Sequence, residues 1–434
     1  MLWCASRPLE FDPEEPLSDA TDTHIDAATE GAPPHVATPA SDAFEKAWSF
    51  RRADDAEAAG IHPYFKVIER QHGGTVVVDG REMVISGSND YLGLTQDPRL
   101  KHAARASLDD FGTSCTGSRF LTGTLSLHRT LEDRLASYLR KESALTFSAG
   151  FLGSLAVLSS LAGRQDVLYF DRENHACLYD GARLSFATLR KYEHGDVEDL
   201  TRLLERDRNR PGGRIIVSDG IFSMSGQIAP LPELAEVARR FGARLIIDDA
   251  HATGVLGAGG RGTGEHFGVE DEVDLIIGTF SKSFGSVGGF MAGPRQVVSY
   301  VKHHARPFIF TAALPAMQVA AALEALEIMS NEPELRERLW RNVWHLRGGL
   351  HELGFDTLGS ETPIQPVVIG DDDATIHFWR GLWDAGVFTT PAIAPAVPAG
   401  QGIIRTSVNA NHEPEHLDRL LAAFDQVGHG LGLL

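Results

Sequence analysis

A chain of 434 residues, 43% hydrophobic and 8% aromatic, carries enough apolar side chains for one large core and a smaller lobe, which excludes a fibrous or wholly disordered protein. Its formal charge of −19, with no tract of five or more basic residues, excludes general nucleic-acid binding. The three cysteines (Cys4, Cys115, Cys177) are widely spaced without a CxxC pair, and no apolar run reaches the about 18 residues of a bilayer span, so a soluble cytoplasmic protein with no disulfide framework, metal site or export leader is expected.

Residues 1–43 are acidic, rich in Pro, Ala, Thr and Asp, and nearly free of large apolar side chains. Burial could not offset the entropy of ordering them, which predicts a disordered tail, or else a docking arm for an acyl carrier protein. Order is expected to begin near Phe44 with one helix through AFEKAWSFRRADDAEAAG, inside an N-terminal segment of residues 44–95. A large domain over 96–305 and a smaller one over 306–434 should follow. LTFS, DVLYF, TLRKY, RIIVSD, ARLIID and DLIIGTF read as buried strands. LHRTLEDRLASYL, FLGSLAVLSSLAG, VEDLTRLLERD and LPELAEVARRFG repeat apolar residues at helical spacing. Their alternation predicts an α/β fold of βαβ units with a mostly parallel sheet covered on both faces. GGFMAGP follows DLIIGTF too closely for a crossover helix and is expected to pair antiparallel. Beyond FIFTAALPA come long helices, the strand-like PIQPVVIG and GIIRTSV, and a last helix, EHLDRLLAAFDQVG, which outline a C-terminal α+β domain.

Two motifs point to one chemistry. DDAHATG (Asp248–Gly254) ends an apolar run, and TFSKSFGSVGGF (Thr279–Phe290) sets Lys282 among hydroxyls and glycines. Pyridoxal 5'-phosphate needs a lysine amine for its aldehyde and a carboxylate that keeps its pyridine nitrogen protonated, and the two motifs supply both. Lys282 in such a site is a nucleophile and later a base. Strand alternation lets only one of the adjacent acids face the ring. Asp248 fits, because it lies three residues before His251, which is expected to bind the cofactor's phenolic oxygen. Thr279 and Ser281 flank the lysine as phosphate donors. SAGF (Ser148–Phe151) is a strand-to-helix turn whose free amides and positive dipole end make a phosphate cradle. His175, in NHACL after DVLYFD, is placed to lie flat on the ring. With Asp219 at the end of RIIVSD, groups from four strands gather at the sheet's carboxyl edge, where such folds bind ligands. GAGGRG (Gly257–Gly262) matches the dinucleotide fingerprint literally, but the polar TGEHFGVEDEVD after it is no amphipathic helix, so nicotinamide binding is not expected.

SNDYLGL (Ser88–Leu94), SDGIFSMSG (Ser218–Gly226), DDAHATGVLG, TFSKSFG and IIRTSVNANH fall in the order and spacing of the α-oxoamine synthases, pyridoxal-phosphate transferases of fold type I. From about Phe44 to the C-terminus the chain resembles that family. GTSCTGSRFLTGTLSLH (Gly112–His128) and SKSFGSVGGF look more like serine palmitoyltransferases than 8-amino-7-oxononanoate synthases. The resemblance implies condensation of an amino acid, serine foremost, with an acyl thioester on coenzyme A or acyl carrier protein, giving an α-amino ketone such as 3-ketosphinganine. By position it implies Lys282 as the cofactor-bonding lysine, Asp248 as pyridine-nitrogen partner and His175 as stacking residue. It places His251 and Ser223 at the phenolic oxygen, and Gly150, Phe151, Thr279 and Ser281 at the phosphate. Asn89 and Arg405 match residues at the substrate carboxylate, which suits arginine's planar fork. The family is homodimeric with shared sites, making Thr311 a candidate phosphate ligand in the partner's site. Departures are Ser225 for an acid, Ala252 for a glycine, Ala312 for a hydroxyl residue and Ile403 for a basic one. They leave the amino acid and the carrier open. An 8-amino-7-oxononanoate synthase or another α-oxoamine synthase using alanine or glycine, a transaminase, and a non-catalytic scaffold subunit are the rival readings; the retained Lys282 speaks against the scaffold.

Overall fold

The computed structural model describes residues 42–434, so nearly all of the predicted tail lies outside the described residues. The described residues fall into two units that divide after Asp55. Instead of the single helix predicted after Phe44, two short ones form, α1 (Glu45–Trp48) and α2 (Arg52–Ala58). Neither buries a residue, and Ser49 turns its hydroxyl back onto Glu45 O at 2.8 Å. With no apolar face to pack, nothing holds these turns in one continuous rod.

The second unit opens on a meander of β1 (Arg70–His72), β2 (Thr75–Val78) and β3 (Arg81–Ile85), followed by α3 (Pro98–Phe111) and α4 (Ser126–Tyr138). The central sheet has seven strands: β4 (Ser143–Phe147), β5 (Val167–Asp171), β6 (Thr188–Tyr192), β7 (Arg214–Asp219), β8 (Arg244–Asp248), β9 (Leu275–Thr279) and β10 (Gly289–Gly293). Their spatial order is β4-β10-β9-β8-β7-β5-β6. Neighbours from β6 across to β9 run parallel, and β10 runs antiparallel to both β9 and β4, as its close spacing predicts. Helices α5 (Gly150–Leu161), α6 (Ala176–Ser185), α7 (Val197–Arg206) and α8 (Leu231–Phe241) cross between strands. Successive strand residues divide between two cores. Leu168, Val217, Ile246 and Ile277 enter one; Tyr169, Ile216, Leu245 and Ile276 enter the other. That period of two is what a sheet buried on both faces requires.

After α9 (Thr263–Phe267), α10 (Arg295–His304), α11 (Arg306–Ile309), α12 (Ala316–Asn331) and α13 (Pro333–Glu352) comes a second, antiparallel sheet. It consists of β11 (Ile364–Gly370), β13 (Thr390–Ala392) and β14 (Gly402–Ser407), accompanied by α14 (Asp372–Asp384) and α15 (Pro414–Gly430). Between them β12 (Val387–Phe388) joins the N-terminal meander, parallel to β3. The fold's consequence for the site lies at one edge: Asp219 and Asp248 sit in register at the ends of β7 and β8, beside Thr279 at the end of β9.

Candidate active site

That edge holds a cavity of about 300 Å³. Asp219, Asp248, Thr279, Ser281 and Lys282 line it from the strand ends, Gly150 and Phe151 from the start of α5, and His175, Ser223 and His251 from intervening turns. Sequence reading thus assembled ten groups that the fold does bring together. Asn89 and Arg405 stand behind this wall: Arg405 donates through Nε to Ser223 O at 2.7 Å and through Nη2 to Asn89 Oδ1 at 3.0 Å. Thr311 does not line the cavity. It sits in a separate small pocket with Ser148, Phe308 and Arg119.

Close backbone approach builds one end of the cavity. A Cβ on Gly150 would fall 2.8 Å from Thr279 Oγ1, and one on Gly289 would fall 2.5 Å from Gly150 Cα. Only glycine lets α5 start against β9 and β10. The N-cap of α5, Ala149, offers no side-chain hydrogen bond, so the first-turn amides remain available to an anion. Beside them, Thr279 Oγ1 donates to Gly288 O at 2.9 Å and lies 2.8 Å from Ser281 Oγ.

The acids sit at the other end. Asp248 is buried and accepts the Ala250 N–H at 3.0 Å; burial raises its pKa, against the pull of Lys282. Asp219 accepts the His175 N–H on Oδ2 at 3.2 Å, while its Oδ1 is buried with no hydrogen-bond partner. Burial first, then the charge of Asp248, pushes the Asp219 carboxyl well above its ordinary pKa. Burial lowers the Lys282 ammonium to about 8, opposed by Asp248 and Asp219. A fraction of it is therefore free amine near neutral pH, the nucleophilic form. Asp249 points elsewhere, taking Thr263 Oγ1 at 2.6 Å and Thr263 N at 3.0 Å. The amides of Gly259 and Arg261 in GAGGRG hold the carboxylate of Glu265, which accounts for that glycine-rich turn without a nucleotide.

Two contributors escaped sequence reading. The Tyr91 hydroxyl lies 2.6 Å from His251 Nδ1 and 3.3 Å from Asn89 Oδ1. Burial pushes the phenol up to about 12 and His251 well below its usual value, so both are neutral. The neutral phenol and neutral imidazole share one proton across the shorter contact. Cys177 places its thiol 2.9 Å from His175 Nδ1 and 4.0 Å from Asp248 Oδ2, with burial raising the thiol pKa. The Cys177 N–H also donates to His175 Nδ1 at 3.2 Å, which fixes the imidazole at the start of α6. Tyr91 lay inside SNDYLGL and Cys177 inside NHACL, but only long-range folding shows what they touch.

A ring bearing an N–H⁺ at one end, an aldehyde and a phosphate fits these groups. The partnerless oxygen of Asp219 and the desolvated Asp248 call for a proton donor, the lowered lysine for a carbonyl, and the bare first turn of α5 for a dianion. Among the described residues, no group of three or more His, Cys, Asp or Glu could hold a metal ion, and no helix is long and apolar enough to cross a membrane.

Fold and cavity together define a pyridoxal-phosphate transferase of fold type I. Residues 81–424 match the aminotransferase class I and II family. The chain is 44% identical to a serine palmitoyltransferase of Bacteriovorax stolpii, over 88% of this chain and 91% of that one. It is 40% identical to an 8-amino-7-oxononanoate synthase of Thermoanaerobacter pseudethanolicus, over 88% and 97%. A solved structure of serine palmitoyltransferase from S. paucimobilis with a bound PLP–myriocin aldimine superposes with a TM-score of 0.86 at 34% identity, covering 90% of this chain and 98% of that one. The chain belongs to the aminotransferase class I and II family, within its α-oxoamine synthases, which are pyridoxal-phosphate-dependent acyltransferases.

Proposed function

We propose that this enzyme condenses L-serine with a long-chain acyl-CoA, releasing carbon dioxide and free thiol and yielding 3-ketosphinganine. The observation that carries the choice of acyl group is a second cavity of about 990 Å³, which shares Ser223 with the first. Phe222, Leu358, Val368, Pro395, Val397 and Ile403 give it apolar surface suited to a hydrocarbon chain, while Arg172, Glu173, Glu193 and Asp356 line the rest. Ile403 stands two residues before Arg405, so position 403 offers no cation to the terminal carboxylate of a dicarboxylic acyl group, and Arg172 in the same lining is paired with Glu193 at 2.8 Å.

Bound in the first cavity, pyridoxal phosphate supplies an aldehyde for an amine and a ring that draws electrons from a breaking bond at the α-carbon. Asp248 would hold the pyridine nitrogen protonated, and His175 would lie against the ring. His251 would face the phenolic oxygen beside Ser223. The α5 amides of Gly150 and Phe151, with Thr279 and Ser281, bind the phosphate. Arg405 spends Nε and one Nη2 hydrogen on Ser223 and Asn89, leaving the rest of its fork for the substrate carboxylate. Lys282 removes the α-proton and returns one after carbon dioxide leaves. Holding both substrates against one wall makes the carbon–carbon bond formation effectively intramolecular. The functional unit is a homodimer in which Thr311 completes the phosphate site of the other subunit.

The test mixes purified enzyme with serine, alanine or glycine and then with acyl-CoAs of graded length, reading thiol release. Release with serine and a long chain is expected. Release confined to alanine with a short dicarboxylic thioester would overturn the reading in favour of an oxononanoate synthase.

A further inference from the structure

His194, in the turn between β6 and α7, lies on the wall of the second cavity and takes no part in the chemistry described above. Both of its ring nitrogens meet acceptors. Nδ1 lies 2.9 Å from Asp171 Oδ1, and Nε2 lies 2.7 Å from Gln227 Oε1. The Gln227 amide cannot be turned to offer a donor instead, because its Nε2 already donates to Leu358 O at 3.1 Å. Asp171 is equally committed, accepting the amides of Glu173 and Gly195 at 2.8 Å each. An imidazole that donates from both nitrogens is an imidazolium.

What the cation grips is a hairpin. Ile221 and Ile228 form a bridge at its base, and Phe222 N–H donates to Gln227 O at 3.0 Å. The tip carries Ser223 into the first cavity and Phe222, Met224 and Ser225 into the second. The His194 ring also packs edgewise on Phe222, with centroids 4.4 Å apart. One side chain thus ties the end of β5, the hairpin and, through Gln227, the backbone at Leu358.

We propose that His194 is a positioning residue for the acyl half of the site: its imidazolium clamps the Ile221–Ile228 hairpin, and loss of the proton loosens the wall that holds the acyl chain. The charged groups that face it are Asp171 and, at 3.6 Å, Glu173; Arg172 is engaged with Glu193 at 2.8 Å, and His266 and Glu361 lie across an adjoining pocket. The acids outweigh burial and lift the imidazole to about 8, in keeping with the doubly donating geometry. The proposal rests on the second cavity being the acyl site.

Two measurements test it on the holoenzyme. Imidazole-¹⁵N spectra, with His194→Gln used to assign the signal, should show both nitrogens protonated at neutral pH; a neutral-tautomer shift there overturns the proposal. Kinetics from about pH 6.5 to 9 should show KM for the thioester rising about tenfold as the charge-assisted hydrogen bond is lost, with KM for the amino acid flat. His194→Gln should keep the cofactor absorbance of the parent yet show the high thioester KM at every pH. A variant that retains the low KM and the same step overturns the proposal. The thioester used is whichever the enzyme turns over, so failure with acyl-CoA would count against the substrate reading alone.

Discussion

Lys282 and Asp248 could be read from the sequence because each motif is local: an apolar strand, a sharp end and a reactive group within a few residues. Replacing Lys282 with alanine should abolish turnover and leave cofactor that borohydride reduction no longer fixes to the protein, as absorbance after denaturation and desalting would show. Tyr91 was illegible for the opposite reason, its partner His251 lying 160 residues away. Tyr91→Phe removes the hydrogen bond that orients His251, and kcat should fall roughly tenfold, the value of about one hydrogen bond, with the cofactor still bound. A wild-type rate would show that His251 is oriented some other way. At Ile403, arginine should shift the preferred acyl group towards chains ending in a carboxylate, read as a change in relative kcat/KM between plain and dicarboxylic acyl-CoAs.

At the scale of elements, most strands of the central sheet were legible because they are continuous buried runs between helices of clear periodicity; the edge strand β6, only half-buried, was marked by its place between two such helices. The meander β1–β3 was not, and neither was β12, two residues long and paired with β3 across some three hundred positions. Such short edge strands have no pattern of their own; their partners define them. The α1–α2 break shows the converse, since helix propensity without a buried face does not sustain one long helix. Packing at the cradle gives a graded prediction. Gly150→Ala meets a side chain, Thr279, whereas Gly289→Ala meets the Gly150 backbone at 2.5 Å. The second should be the worse, losing roughly 1–3 kcal/mol in denaturant titration and weakening cofactor affinity more.

For the whole molecule, charge and surface make two further predictions. His194 has its pKa raised in the fold, so the stability it contributes is complete below its unfolded value of 6.5 and disappears as pH rises through about 8. Denaturation midpoints of wild type and His194→Gln should therefore converge above that pH. Leu121 and Phe310 are 77% and 76% exposed, on segments joined by the Ser118–Ala312 bridge near Thr311. Apolar area of that kind beside a proposed shared site calls for a second subunit, and charged residues at both positions should shift sedimentation towards a monomer with weakened cofactor retention.

Strand β10, running against its neighbours, sits between β4 and β9. The two halves of the proposed phosphate cradle come from either side of it. Neither half can capture a dianion until everything from Ser143 to Gly293 has closed into one sheet, so a vitamin-coloured solution reports completed assembly rather than an early step. On dilution from denaturant, far-ultraviolet ellipticity should recover first and visible absorbance last, a lag set by the slow joining of distant strands.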